Sequence, residues 1–242
     1  MSDKKGNLVF VLHAHLPYVR HPEHEIFLEE NWFFEGLIET YLPLLAMFDR
    51  LNRDGVPFRI TMTLSPTLVS MMEDPLLMGR FEKRLSILRD LSEREVIRTR
   101  GTEFEGVARF YRDHLEFLER VYRQDLGRNL PGAFRRHMES GSLDGITCGA
   151  THGFLPFLQE VPGSAEAQVR VGGRREDAHA GQRRDCPSYR TWWSSLLLSA
   201  RPIRSRRAYD STDFVSPGNP VTYSGNSCFS IRSLAWILLR SP

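Results

Sequence analysis

Three histidines stand where apolar segments of the chain end. His13 and His15 follow an apolar run, Leu8 to Leu12, and are separated by a single residue. Alternate side chains of an extended chain point to the same side, so both imidazoles would leave the strand end in one direction. His152 follows another short β-type segment, residues 143–148. The spacing predicts a cluster of imidazoles at one edge of a sheet.

Imidazoles in such a cluster support two kinds of chemistry. Neutral rings hydrogen-bond to hydroxyl groups such as those of sugars, and three histidines also suit a catalytic zinc site. No carboxylate adjoins His13, His15 or His152 in the sequence, which favours hydroxyl recognition over a metal-dependent hydrolase or deacetylase. A purely structural role also stays open, with Gly149 and Gly153 shaping a tight turn.

The elements that must position these residues alternate between strands and helices. Strands are predicted at residues 7–12, 58–64 and 143–148, the first of them buried on both faces because it is continuously apolar. Helices are predicted at residues 29–53 with a kink or new start at Pro43, and at 67–72, 75–98, 104–126 and 130–139. This order is typical of an α/β protein with a parallel sheet and helical crossovers. Three strands are too few to close a barrel.

Composition limits the compartment and the partners. The chain has 32 Lys plus Arg against 30 Asp plus Glu, so its total charge does not indicate a nucleic-acid partner. Its three cysteines lie far apart, which indicates a reducing compartment without a disulfide framework. The N-terminus lacks the apolar core of a signal peptide, and no apolar run is long enough to span a bilayer. We expect a cytoplasmic protein with no membrane partner.

The composition changes abruptly near Arg170. The last 72 positions contain 11 Arg, 12 Ser and only five acidic residues, with no Lys and a single Glu, Glu176. We therefore divide the chain into a body, residues 1–170, and an Arg/Ser-rich tail, residues 171–242. A loss of periodicity together with a shift in residue usage is typical of an out-of-frame reading, so the sequence predicts a frameshift near Gly172 and an irregular, poorly ordered tail.

A basic tail that binds nucleic acid or a membrane is the rival interpretation. Its centre would be Arg201 to Arg207. Scattered apolar runs such as Trp192-Trp193 and Leu196 to Leu198 fit neither a solvated nor an amphipathic pattern, which argues against this interpretation.

Four segments of the body resemble glycoside hydrolase family 57, in the branch of the prokaryotic 1,4-α-glucan branching enzymes. The segment from His13 to Arg20 is similar to the first signature of the family, and the segment from Ile146 to Pro156 is similar to its second. Residues 30–44 and 57–66 resemble the segments between them. The resemblance extends from about Asn7 to about Arg170, in the family's order and spacing.

This resemblance implies a fold, a substrate and a set of binding residues. The body would be the N-terminal part of an incomplete (β/α)7 barrel, and the family transfers α-1,4-glucan segments to form α-1,6 branches with retention and without a metal or other cofactor. His13, His15 and His152 would form the floor of the glucan site. Trp32 would be a platform for a sugar ring, although it also fits the apolar stripe of its helix and so could be a core aromatic. The expected partner is an α-1,4-glucan, with no nucleic acid.

No residue of this sequence matches the catalytic carboxylates of the family. Retaining glycoside chemistry needs a nucleophilic carboxylate and a carboxylic acid about 5 Å apart. In the family the nucleophile is a Glu in a Trp-Leu-Pro-Glu type segment soon after the second signature, and the acid is an Asp much further on. Glu176 and Asp185 lie in no such segment. We therefore assign no catalytic residue and expect the chain to be inactive alone. A non-catalytic glucan-binding or nucleic-acid-binding protein remains a further alternative.

Overall fold

The computed structural model describes residues 8–146 and 148–180, with side chains described as far as residue 173. Its centre is a sheet of three parallel strands in the order β1-β2-β3, namely β1 (Val11–Ala14), β2 (Ile60–Leu64) and β3 (Leu143–Ile146). Ala14 lies beside Leu64, and Ile146 lies beside Thr63. The carboxyl ends of all three strands therefore meet at one edge, as the alternation of elements predicted.

Helices connect the strands and cover the sheet. They are α1 (Glu30–Gly36), α2 (Leu42–Arg53), α3 (Pro66–Glu73), α4 (Pro75–Arg98), α5 (Glu105–Arg120), α6 (Leu130–Glu139), α7 (Leu155–Leu158) and α8 (Ser164–Ala180). The predicted helices at 75–98 and 130–139 are confirmed at the same bounds. The predicted helix at 67–72 is confirmed within one residue at each end, as α3. The predicted helix at 104–126 corresponds to α5 together with a π-helical turn, Val121–Asp125, that follows it.

The predicted irregularity near Pro43 is also confirmed. A π-helical turn, Leu37–Tyr41, separates α1 from α2, and the Leu42 N–H donates to the Leu37 carbonyl. Pro43 lies in the first turn of α2 and has no N–H to donate to the preceding turn. The π-helical turn changes the backbone hydrogen-bonding register just before Pro43, so the helix continues although Pro43 donates no hydrogen bond.

The core lies between the sheet and the surrounding helices. The predicted apolar stripe of residues 29–53 supplies much of it, through Phe33, Leu37, Leu45 and Phe48, which are all fully buried. Trp32 is different, because 52% of its surface is exposed. The interpretation of Trp32 as a core aromatic is therefore wrong, since a core residue would be buried as Phe33 is.

The prediction that β1 is buried on both faces is wrong. Leu8, Val9 and Val11 are largely exposed, and the strand begins at Val11 rather than at residue 7. Among the described strands β1 pairs only with β2, so it is an edge strand, and Ala14 is its one fully buried residue. A continuous apolar run could not distinguish a covered strand from an uncovered edge.

The proposed division at residue 170 falls inside a helix. α8 continues from Ser164 to Ala180, and Gly172 is buried within it. The remainder of the predicted tail, including the apolar runs at Trp192-Trp193 and Leu196 to Leu198 and the basic segment Arg201 to Arg207, lies outside the described residues. Within the described part of the chain, no helix has the length and apolar character needed to cross a membrane.

Candidate functional site

The three histidines predicted from the sequence meet at the carboxyl edge of the sheet. The ring centroids of His15 and His152 are 4.1 Å apart and the two planes are 19° from parallel. The His13 ring lies 4.8 Å from that of His152 and 6.0 Å from that of His15. The three rings therefore form one cluster, which we call the histidine floor. Trp32, the fourth predicted site residue, is not among the ring contacts of this cluster in the described structure.

Two hydrogen bonds from the start of α3 fix the backbone on either side of His15. The Ser65 N–H donates to the carbonyl of Ala14 at 3.0 Å, and the Thr67 hydroxyl donates to the carbonyl of Leu16, also at 3.0 Å. Ser65 itself caps α3 by accepting from the Leu68 N–H at 3.4 Å. The junction between β2 and α3 therefore determines where the His15 backbone lies.

His152 lies in a tight turn that packs against α8. Its φ is +55°, in the left-handed region, and its N–H donates to the Gly149 carbonyl at 3.0 Å. The side-chain oxygen of Gln168 accepts from the Thr151 N–H at 2.9 Å, and its Nε2 donates to Thr151 Oγ1 at 2.8 Å. These contacts join the turn to the helix at the residue just before His152.

Two rings of the floor, His13 and His15, have a pKa below that of a free imidazole. Partial burial and the proximity of His152 and His13 lower the pKa of His15 to about 4. Burial and His152 also lower the pKa of His13. The Nδ1 atom of His15 is buried and has no hydrogen-bond partner in the part of the chain that the structure describes. A neutral imidazole has one donor and one acceptor nitrogen, which suits a hydroxyl group that also does both.

The geometry gives less support to a metal site. Nitrogen ligands of zinc lie about 2.0 to 2.1 Å from the ion, in the plane of each imidazole. The His15 and His152 rings are stacked nearly parallel, so their planes do not meet at a common point between them. Among the described residues, no group of three or more His, Cys, Asp or Glu side chains is placed to hold a metal ion.

A buried ion pair anchors the loop that follows the floor. Glu30 is only 1% exposed, accepts from the His21 N–H at 3.1 Å and pairs with Arg80 of α4 at 2.5 Å. Arg80 also donates to the His21 carbonyl at 3.1 Å, and Arg20 pairs with Asp74 at 2.7 Å. These bonds hold the segment between β1 and α1 against α4, and with it the start of the helix that carries Trp32.

Sequence reasoning missed the residues that hold this site together. The Ser65-Pro66 pair carried a readable signal, since Ser before Pro is a common start of a helix. Gln168, Glu30 and Arg80 carried none, because each acts on a partner that is distant in the sequence.

Comparison with known proteins tests the resemblance. The sequence model of glycosyl hydrolase family 57 matches residues 9–178. The chain belongs to glycosyl hydrolase family 57. Its match begins just before β1 and ends inside α8, so it includes all three histidines of the floor.

Proteins of similar sequence or structure include branching enzymes and an alpha-amylase. The 1,4-alpha-glucan branching enzyme TK1436 of Thermococcus kodakarensis is 34% identical over 181 residues, which are 74% of this chain and 26% of that enzyme. The alpha-amylase AmyC of Thermotoga maritima has 40% identity and a TM-score of 0.67, over 72% of this chain and 33% of AmyC. The branching enzyme of Pyrococcus horikoshii has 30% identity and a TM-score of 0.68, over 73% of this chain and 33% of that enzyme. The chain thus spans about a quarter to a third of the relatives it matches.

Proposed function

We propose that this member of glycosyl hydrolase family 57 binds an α-1,4-glucan at the histidine floor. The observation that carries the proposal is the convergence of three imidazoles, two with lowered pKa, at the carboxyl edge of a parallel sheet. Ligand sites in such sheets are built at this edge. Sugar hydroxyls match the paired donor and acceptor of a neutral imidazole, and a branching enzyme and an alpha-amylase are among the similar proteins.

His15 would be the central hydrogen-bonding residue of the floor. Its Nδ1 is buried without a partner in the described structure, while its ring is stacked on His152. A buried polar atom that is left without a partner costs free energy, so a sugar hydroxyl that bonds to it gains that free energy on binding. His13 is more exposed and would contact the glucan at the rim of the floor.

Trp32 would stack on a sugar ring beside the floor. Its half-exposed indole is available to a ligand, in contrast to its buried neighbours Phe33 and Phe34. The Glu30–Arg80 pair fixes the helix start next to it, so the platform would keep a defined position. Aromatic faces of this kind suit the apolar face of a sugar.

The reaction of the complete family 57 protein is a separate part of the proposal. We infer that the gene descends from a retaining enzyme that forms α-1,6 branches in α-glucan in the cytoplasm, in glycogen metabolism, and that its fold is the N-terminal part of an incomplete (β/α)7 barrel. No residue of this chain matches the catalytic Glu or Asp segments of the family. The chain would therefore bind glucan without catalysing transfer, and it would need no metal or other cofactor.

A frameshift near Gly172 would explain why those segments do not appear. The family match ends at residue 178, close to the point where Lys disappears and Arg and Ser become frequent. Sequencing the DNA that encodes residues 168–185 and translating all three frames tests this. A Trp-Leu-Pro-Glu type segment in another frame would support it. Early stop codons in both other frames would contradict it and make the basic tail a candidate for nucleic-acid binding.

Calorimetric titration of the full chain with maltohexaose tests the binding proposal. Cellohexaose, which has the same number of glucose units joined by β-1,4 bonds, is the matched control ligand. We expect saturable binding of maltohexaose with one site per chain and much weaker binding of cellohexaose. Equal affinity for the two oligosaccharides, or no binding of either, would contradict an α-glucan site.

A further inference from the structure

We propose that Gln168 is a positioning residue for His152, holding the turn at Thr151 so that the imidazole of His152 stays stacked on that of His15. The effect of Gln168 on glucan binding rests on the proposed function, whereas the positioning of His152 by Gln168 rests on geometry alone. Gln168 belongs to α8, whereas His152 belongs to the turn after β3, so the contact joins two elements that are separate in the sequence.

The contact between Gln168 and the turn uses the side chain and the backbone together. The amide oxygen accepts from the Thr151 N–H at 2.9 Å and the amide nitrogen donates to Thr151 Oγ1 at 2.8 Å. The backbone carbonyl of Gln168 accepts from the Ala150 N–H at 3.0 Å. Three hydrogen bonds from one residue therefore hold two successive residues directly before His152.

The small residues of the turn allow α8 to approach this closely. A Cβ on Gly149 would lie 3.1 Å from Oε1 of Gln168, and a Cβ on Gly172 would collide with the Cys148 carbonyl. A larger residue at Gly172 would push the helix away from the turn, and a larger residue at Gly149 would displace the Gln168 amide from Thr151. Glycine at both positions thus permits the spacing that the hydrogen bonds of Gln168 require.

His152 needs such an anchor because its backbone conformation is unfavourable. A left-handed φ of +55° costs a residue with a Cβ of the order of 1 kcal/mol. Within its own turn the His152 N–H makes one hydrogen bond, to the Gly149 carbonyl. Without the bonds from Gln168, we expect the turn to relax to a commoner conformation and the His152 ring to leave the floor.

Displacement of the His152 ring would change the pKa of His15. The proximity of His152 is one of the causes that lower the pKa of His15, after burial itself. If the His152 ring moves away, the pKa of His15 rises from about 4 towards its ordinary value of 6.5. A change that merely weakened the fold, with the ring still in place, would leave this pKa unchanged.

The test compares three variants of the full chain with the unaltered protein. Gln168→Leu removes both side-chain hydrogen bonds, and Gln168→Glu can keep both, because its carboxylate accepts from the Thr151 N–H and from the Thr151 hydroxyl. Gln159→Leu is the matched control, since Gln159 is an exposed glutamine that directly follows α7. The readouts are the pKa of His15 and the nuclear Overhauser effect between the His15 and His152 rings, both by NMR, and the affinity for maltohexaose.

We expect Gln168→Leu to raise the pKa of His15, to remove the Overhauser effect and to weaken maltohexaose binding about five- to tenfold. Gln168→Glu should keep the His15 pKa, the Overhauser effect and the maltohexaose affinity close to those of the unaltered protein. Gln159→Leu should leave all three unchanged. An unchanged His15 pKa and Overhauser effect in folded Gln168→Leu would overturn the proposal. If Gln168→Leu does not fold, Thr151→Val, which removes one of the bonds, is expected to give a smaller change of the same sign, and no change would overturn the proposal.

The two proposals fail in different ways. If the unaltered chain does not bind maltohexaose but Gln168→Leu still separates the rings, the glucan function is wrong and the positioning role stands. If the unaltered chain binds and Gln168→Leu changes neither ring contact nor affinity, the positioning role is wrong and the glucan function stands.

Discussion

The imidazole of His15 lies stacked on that of His152, with ring centroids 4.1 Å apart. One ring comes from the end of β1 and the other from the turn after β3, and β2 lies between those strands. His152 makes this contact from a left-handed backbone conformation, with a φ of +55°. The geometry of this pair underlies most of the expectations below.

Removal of the His152 ring should weaken glucan binding strongly. We expect His152→Ala to reduce the affinity for maltohexaose about tenfold or more, because it removes one hydrogen-bonding ring and the support for another. His114→Ala is the matched control, since His114 lies on α5 and packs on Phe110 and Phe117 rather than on the floor. Titration calorimetry of both variants measures the difference. A similar loss in both would show that the effect comes from general instability.

Removal of Arg80 should destabilise the fold through the charge it leaves behind. Arg80→Met leaves the buried carboxylate of Glu30 without its cationic partner, which costs about 3 kcal/mol of unfolding free energy. Lys83→Met is the control on the same helix, because Lys83 pairs with Glu25 where both side chains are exposed, and such pairs contribute little. Urea unfolding curves give both values. Equal stability of the two variants would contradict the role of the buried pair.

Two adjacent glycines of α8 should respond oppositely to the same substitution. Gly172→Ala places a methyl group against the Cys148 carbonyl and should destabilise the chain by about 1 to 3 kcal/mol. Gly173→Ala meets no atom within 4 Å and should be neutral or stabilising by up to about 1 kcal/mol, since alanine favours a helix. Thermal unfolding of both variants checks this. Equal melting temperatures would mean that α8 does not pack on the turn.

The stability should fall as the pH is lowered from 7 to 5. Burial lowers the pKa of His13, His15, His114 and His137, so the unfolded chain binds protons at a higher pH than the folded chain does. The stability from each neutral histidine is complete above pH 6.5. For His15 it is lost as the pH falls from 6.5 towards about 4.

Urea unfolding at pH 7, 6 and 5 measures this dependence. Neighbouring charges modify the separate contributions: His152 and His13 face His15, while Asp49 and Arg136 face His137. His15→Asn should make the free energy of unfolding depend less on pH between pH 7 and pH 5. A stability that is constant or rises towards pH 5 would contradict the assignment of neutral histidines.

Local sequence signals determined much of the helical framework. Asp74 precedes α4 and Asn129 precedes α6, and in both cases the side-chain oxygen caps the first turn, which contains a proline. These signals depend only on neighbouring residues, so the bounds of both helices could be predicted. The clustering of His13, His15 and His152 could be predicted as well, because parallel strands bring their carboxyl ends to one edge.

Other features depend on contacts that no local pattern contains. The exposure of Val11 depends on what lies beside β1, and a run of apolar residues looks the same in an edge strand as in a central one. The bonds between Gln168 and Thr151 join residues 17 positions apart, and the Glu30–Arg80 pair joins residues 50 positions apart. Such partners become visible only when the chain has folded.

NMR observation of the histidine rings during a maltohexaose titration tests the central proposal most directly. The chain is labelled in its histidines and titrated first with maltohexaose and then, separately, with cellohexaose. We predict that the signals of His13, His15 and His152 shift together and saturate with maltohexaose, while those of His114 and His137 stay in place. Shifts that are absent, or that cellohexaose produces equally well, would contradict the assignment of the histidine floor as an α-1,4-glucan site.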